Sequence, residues 1–87
     1  MVKKEVEIKN DTGIHARPAS MIVQEAKKYD AEIELVKDDN EVNAKSIMGI
    51  MSLGVSKSTK VTVRAEGKDA KDAVNGLVEL ISSGFGE

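Results

Sequence analysis

Val2-Lys3-Lys4-Glu5-Val6-Glu7-Ile8-Lys9-Asn10-Asp11-Thr12-Gly13-Ile14-His15-Ala16-Arg17-Pro18-Ala19-Ser20-Met21-Ile22-Val23-Gln24-Glu25-Ala26 carries two hydrophobic periods with a turn between them. Val2, Val6 and Ile8 share one parity, and Lys3, Glu5 and Glu7 the other, which predicts a half-buried strand. Asn10-Asp11-Thr12-Gly13 is a cluster of turn-forming residues. From Ala16 the period lengthens to that of a helix. Ala16, Ala19, Ile22, Val23 and Ala26 form an apolar stripe, and Gln24, Glu25, Lys27 and Lys28 face water. The helix is expected to end near Tyr29-Asp30.

The rest of the chain repeats these periods. Glu32 to Lys37 alternates, with Ile33 and Leu35 inward. Asp38-Asp39-Asn40 reads as a tight turn, and Glu41-Val42-Asn43-Ala44 returns as a partner strand, so the pair predicts a hairpin. Ser46 is a natural N-cap for a short helix through Leu53, stopped by Gly54. Lys60 to Glu66 is a last strand with Val61, Val63 and Ala65 inside. Asp69 is expected to cap a final helix whose stripe is Ala70, Ala73, Val74, Leu77, Leu80 and Ile81, and the Gly84/Gly86 tail marks an element end. The order is βαββαβα. Three helices covering one face of a four-stranded, largely antiparallel sheet give a two-layer α+β open-faced sandwich, one domain over residues 1–87.

Composition removes several function classes. The 87 residues carry 13 Lys+Arg and 15 Asp+Glu, a formal net charge of -2, which argues against a nucleic-acid binder with its basic face. Tyr29 and Phe85 are the only aromatics, too few for a base-stacking platform. With no cysteine and one histidine, neither a thiolate nor a multi-histidine metal site is available, and no metal or cofactor is expected. No apolar run is long enough to span a bilayer, and the first residues lack a signal-peptide core; a cytoplasmic protein is expected.

His15 stands where turn becomes helix. Pro18 falls in the first helical turn, where its missing N–H costs nothing. The free amides of that turn and the helix dipole favour an anion, and Arg17 adds a permanent forked cation. A neutral imidazole beside such an anion site suits a transient phosphoryl acceptor: the ring nitrogen attacks phosphorus while amides and guanidinium stabilise the phosphoryl oxygens. No second acid or base lies nearby in sequence, so the residue is suited to holding a group and less to hydrolysis. After Ser46, the run Ile47-Met48-Gly49-Ile50-Met51-Ser52-Leu53 is too apolar for one buried face. Ile50 and Leu53 are expected to point inward. Ile47, Met48 and Met51 are expected to stay partly exposed, as an adaptable contact patch.

Gly13-Ile14-His15-Ala16-Arg17-Pro18-Ala19 resembles the phosphorylation motif of HPr, the histidine-containing phosphocarrier family of the bacterial phosphoenolpyruvate-dependent sugar phosphotransferase system. The family's second motif is also matched, by Asn43-Ala44-Lys45-Ser46-Ile47-Met48-Gly49-Ile50-Met51-Ser52-Leu53-Gly54. The resemblance covers the whole chain. It implies a sheet of order 1-4-2-3. It implies phosphorylation of His15 on Nδ1 by enzyme I, then transfer to IIA units of sugar transporters. Ala16 and Arg17 would bind the phosphoryl group, Arg17 would stabilise its charge, and Pro18 would fix the helix start. Ser20, Gln24, Ile47, Met48 and Met51 would face partner proteins, and transient docking to several of them favours a monomer.

N-capping by itself accounts for Ser46. The run after it resembles the HPr proteins of low-GC Gram-positive bacteria. There the matching serine is phosphorylated by HPr kinase/phosphorylase, and the product acts with the catabolite control protein. The paralogous catabolite repression HPr-like protein lacks the histidine, which His15 weighs against. Rival readings are a nitrogen-linked HPr paralogue, a small ligand-binding regulatory module, and a stand-alone small phosphatase. The module explains the fold and acidity but not His15, Arg17 and Pro18 together; the phosphatase lacks a second catalytic group. The chain is therefore expected to be a substrate of partner enzymes and not an enzyme itself.

Overall fold

A computed structural model describes residues 1–86. Its elements are β1 (Val2–Glu7), α1 (Ala16–Ala26), β2 (Glu32–Lys37), β3 (Asn40–Asn43), α2 (Ile47–Ser52), β4 (Lys60–Glu66), α3 (Ala70–Ser82) and a short 3-10 turn, Gly84–Gly86. The strands form one sheet in the order β1-β4-β2-β3. All three pairings are antiparallel, with Val6 opposite Val61, Leu35 opposite Val63, and Leu35 opposite Val42. The α+β open-faced sandwich and its strand order are as expected.

Strand parity decides which side is wet. Val6, Ile8, Ile33, Leu35, Val61, Val63 and Ala65 are buried and form one core with the helices. On the opposite face, Arg64 of β4 bridges Glu34 of β2 and Glu41 of β3. Ion pairs this exposed contribute little to stability, on the order of 0–1 kcal/mol. They do suit a sheet face in contact with solvent.

Several boundaries move for identifiable reasons. In the β2–β3 hairpin Lys37 pairs with Asn40, so only Asp38 and Asp39 turn, and Ala44 lies just beyond the strand. Asp38 takes φ 54°, a left-handed conformation that Asp tolerates. Helix α1 ends at Ala26, short of Tyr29. The amides of Lys28 and Tyr29 tighten onto the carbonyls of Glu25 and Ala26, and the Lys45 ammonium takes the Tyr29 carbonyl at 2.8 Å. Ala16, placed in the α1 stripe by periodicity, is exposed; the buried face of the helix starts at Pro18 and Ala19.

Asp69 precedes α3 as expected but does not cap it with its side chain. Its backbone, at φ -102° and ψ 24°, departs from the extended conformation that capping needs. The carboxylate instead accepts the Asp30 amide at 2.9 Å and the Ala31 amide at 2.8 Å, tying the α1–β2 loop to the start of α3. Leu80 is only half-buried. Phe85, in the tail taken as punctuation, is fully buried and is among the largest core side chains.

Candidate functional site

The approach to His15 is pinned from both sides. β1 continues past Glu7: the Ile8 amide donates to Thr59 O at 2.9 Å, and the Ser58 amide to Ile8 O at 2.7 Å. The chain then turns at residues 10–13, closed by the Gly13 amide on Asn10 O at 3.1 Å. Asn10 Nδ2 donates to Gly13 O at 2.7 Å and to Thr12 Oγ1 at 3.0 Å. The Ile14 amide reaches Val55 O at 3.1 Å, and the Ile14 side chain is buried in the core. At the exposed rim, Lys57 pairs with Asp11 at 2.7 Å and holds the Asp11 carboxyl below its ordinary range.

Gly13 is dictated by this geometry. Its φ is +66°, and a Cβ there would lie 2.5 Å from Val55 O and 2.9 Å from Ser56 Cα. Only a residue without a side chain lets the turn approach that backbone so closely.

His15 then takes the N-cap position of α1, extended at φ -113° and ψ -154°. Its carbonyl accepts the Ala19 amide at 2.8 Å, which starts the helix. Its side chain makes no capping hydrogen bond, and the residue is exposed. A Ser or Asp here would turn its oxygen back onto the helix amides. The imidazole does not, and the ring stands at the positive end of the helix dipole. No acidic residue occupies the first turn. Arg17 is exposed in that turn, and Pro18 is buried beneath it, fixing the backbone direction. His15, Ala16, Arg17 and Pro18 therefore share one helix tip.

Ser46 takes the N-cap of α2, and its Oγ accepts the Gly49 amide at 3.1 Å. The far end of α2 is held from β2: the Lys37 ammonium donates to Leu53 O at 3.3 Å. Ile50 and Leu53 are buried, while Ile47 is 43% exposed, Met48 84% and Met51 43%. The apolar run thus splits as its spacing predicts. Helices α1 and α2 pack together. On α1, Gln24 is exposed and Ser20 half-buried, one turn apart, with Gln24 Nε2 3.5 Å from Ser20 Oγ.

Asn10 was legible only as a turn former. The missed signal is its parity: Val6, Ile8 and Asn10 all point inward, so an amide occupies a core position. Val55, whose carbonyl holds Ile14, carries no local signal at all. Among the described residues no group of three His, Asp or Glu side chains is placed to hold a metal, and no helix is long and apolar enough to cross a membrane.

Known proteins match the chain throughout. HPr-C-His from Thermoanaerobacter tengcongensis superposes with a TM-score of 0.96 at 55% identity, covering 100% of this chain and 98% of that one. The HPr-like protein Crh of Halalkalibacterium halodurans is 47% identical over 81 residues, 93% of this chain and 96% of that protein. Crh of Bacillus subtilis, solved as a dimer with a swapped domain, matches at 45% identity with a TM-score of 0.78 over 97% of both chains. The sequence model described as the phosphotransferase-system HPr component phosphorylation site matches residues 2–83. The chain belongs to the HPr family of phosphotransferase-system proteins.

Proposed function

We propose that this protein is a phosphoryl carrier that accepts phosphate from phospho-enzyme I on His15 and passes it to IIA units of sugar transporters. The observation that carries this reading is the exposed His15 ring at the N-terminus of α1, uncommitted to capping, with Arg17 exposed in the first turn beside it. In acceptance, the Nδ1 lone pair attacks phosphorus, the bond from phosphorus to enzyme I breaks, and its electron pair leaves with enzyme I. The Ala16 and Arg17 amides and the Arg17 guanidinium meet the phosphoryl oxygens as charge shifts. The second transfer runs the same step with His15 as leaving group. An exposed helix tip serves such reversible exchange better than a deep pocket, which would hold the phosphate too tightly. The chain supplies the acceptor atom and its surroundings, and partner proteins complete each reaction.

The docking face in this reading combines Ser20 and Gln24 of α1 with Ile47, Met48 and Met51 of α2. Ser46 is the regulatory position, phosphorylated by HPr kinase/phosphorylase and then read by the catabolite control protein. A phosphate on Ser46 sits at the favourable end of α2, so it leaves the helix intact and places about two negative charges beside the apolar patch. The protein acts in the cytoplasm as a monomer, with β1 on its own β4. Light scattering tests that state against the swapped dimer of Bacillus subtilis Crh.

A second reading, a Crh-like regulator used only through Ser46, is favoured by the identity with Crh. One experiment separates the two. The protein is incubated with phosphoenolpyruvate and enzyme I and its mass measured. The carrier takes one acid-labile phosphate, and His15→Ala takes none. A wild-type chain that stays unmodified, while still accepting phosphate on Ser46 from the kinase, refutes the carrier.

A further inference from the structure

We infer that Asn10 is a positioning residue for phosphoryl acceptance, aiming His15 through the carbonyl of Gly13; the role rests on the carrier reading above. Among the described residues Asn10 is the only buried polar side chain, at 5% exposure. It continues the inward row of Val6 and Ile8, where an aliphatic residue would fill the same space without the cost of burying an amide. Core packing therefore gives no reason for an amide here. The turn does. Asn10 closes it twice, through its backbone carbonyl to the Gly13 amide at 3.1 Å and through Nδ2 to Gly13 O at 2.7 Å, and Nδ2 also reaches Thr12 Oγ1 at 3.0 Å.

The effect on His15 follows from chain length. Only Ile14 separates Gly13 from His15. Ile14 is fixed by its amide on Val55 O at 3.1 Å and by its buried side chain. Gly13 O and the Ile14 amide belong to one peptide plane, so Asn10 and Val55 hold that plane from its two sides; with the Ile14 side chain buried as well, the chain is set one residue before His15. Releasing Gly13 O leaves that plane held on one side only, by Val55, so it can tilt and shift the ring at the helix tip. A misplacement of about 1 Å at a reacting atom can cost on the order of a hundredfold in rate.

The test uses the full chain with enzyme I and phosphoenolpyruvate. Asn10→Leu removes the donor with little change in volume. Asn10→Asp keeps the shape but offers an acceptor in place of the donor at neutral pH. Both variants should stay folded by circular dichroism and lose about tenfold in kcat for phosphoryl acceptance. KM for enzyme I should stay within about twofold, because the docking face is untouched. The nitrogen resonances of the His15 ring should shift in both. In the wild type, the Asn10 side-chain amide resonances should move when His15 is phosphorylated. Folded variants with wild-type kcat and ring resonances overturn the inference, as does a rate loss that only tracks the unfolded fraction. If both variants unfold, the wild-type measurement decides, and an Asn10 amide indifferent to phosphorylation overturns it. A wild type that accepts no phosphate overturns the carrier reading and this role together.

Discussion

Replacing Gly13 by Ala should damage this protein in a way that separates backbone strain from close approach. Two effects add at that position. A left-handed φ of +66° costs an alanine about 1–2 kcal/mol. The new Cβ would also sit 2.5 Å from Val55 O, where ordinary contact begins at 3.4 Å. Both groups are backbone, so one segment must retreat by nearly an ångström. That stretches the Ile14–Val55 hydrogen bond, worth about 0.5–1.5 kcal/mol. It also strains the core behind Ile14 by about 1–3 kcal/mol. The total is about 3–6 kcal/mol, a large part of the 5–15 kcal/mol typical of a domain. Gly54→Ala is the control. Gly54 has a similar φ of +62°, but a Cβ there meets nothing within 4 Å. Only the backbone cost, about 1–2 kcal/mol, then applies. Urea titrations of both variants read the difference, with the Gly13→Ala midpoint lower by on the order of 1 M. Phosphoryl uptake from enzyme I should fall in Gly13→Ala and hold in Gly54→Ala. Equal losses of stability in the two variants would refute the close-approach argument, whatever the activity.

Other outcomes follow from single contacts. Phe85→Ala empties a fully buried site and should cost about 3–5 kcal/mol in urea unfolding, although the residue lies in the tail. The Asp69 carboxyl is held below 3.8 chiefly by the Asp30 amide, with the Ala31 amide adding to it. Its stabilisation is therefore complete above the unfolded pKa and lost as pH falls through the lower folded value; Asp69→Asn should flatten that acid limb of urea stability. Ser46→Ala removes the cap on Gly49 and should cost about 1 kcal/mol, measured by thermal melting. Ser46→Asp should instead slow phosphoryl uptake from enzyme I, and an unchanged rate would count against a shared docking face. Met48→Glu, at an 84% exposed position, should leave the melting temperature within a degree or two and weaken partner binding by calorimetry.

The element order, the wet and dry faces of the strands, the histidine at a helix mouth and the split of the apolar run after Ser46 are all legible in the amino-acid order. Each follows from side-chain period or a local turn signal, both of which act within a few residues. Contacts between residues far apart in the chain are not legible there and are set by packing. The Asp69 carboxylate left its own helix for two amides 38 and 39 residues away, because the α1–β2 loop lies against it. Phe85 entered the core because the chain folds back after α3, and nothing in Gly84-Phe85-Gly86 shows what lies beneath. The tight seat of Gly13 on Val55 O likewise arises only when the segment at residues 55–56 is in place. Local physics settles which way a side chain points; only packing settles what it meets there.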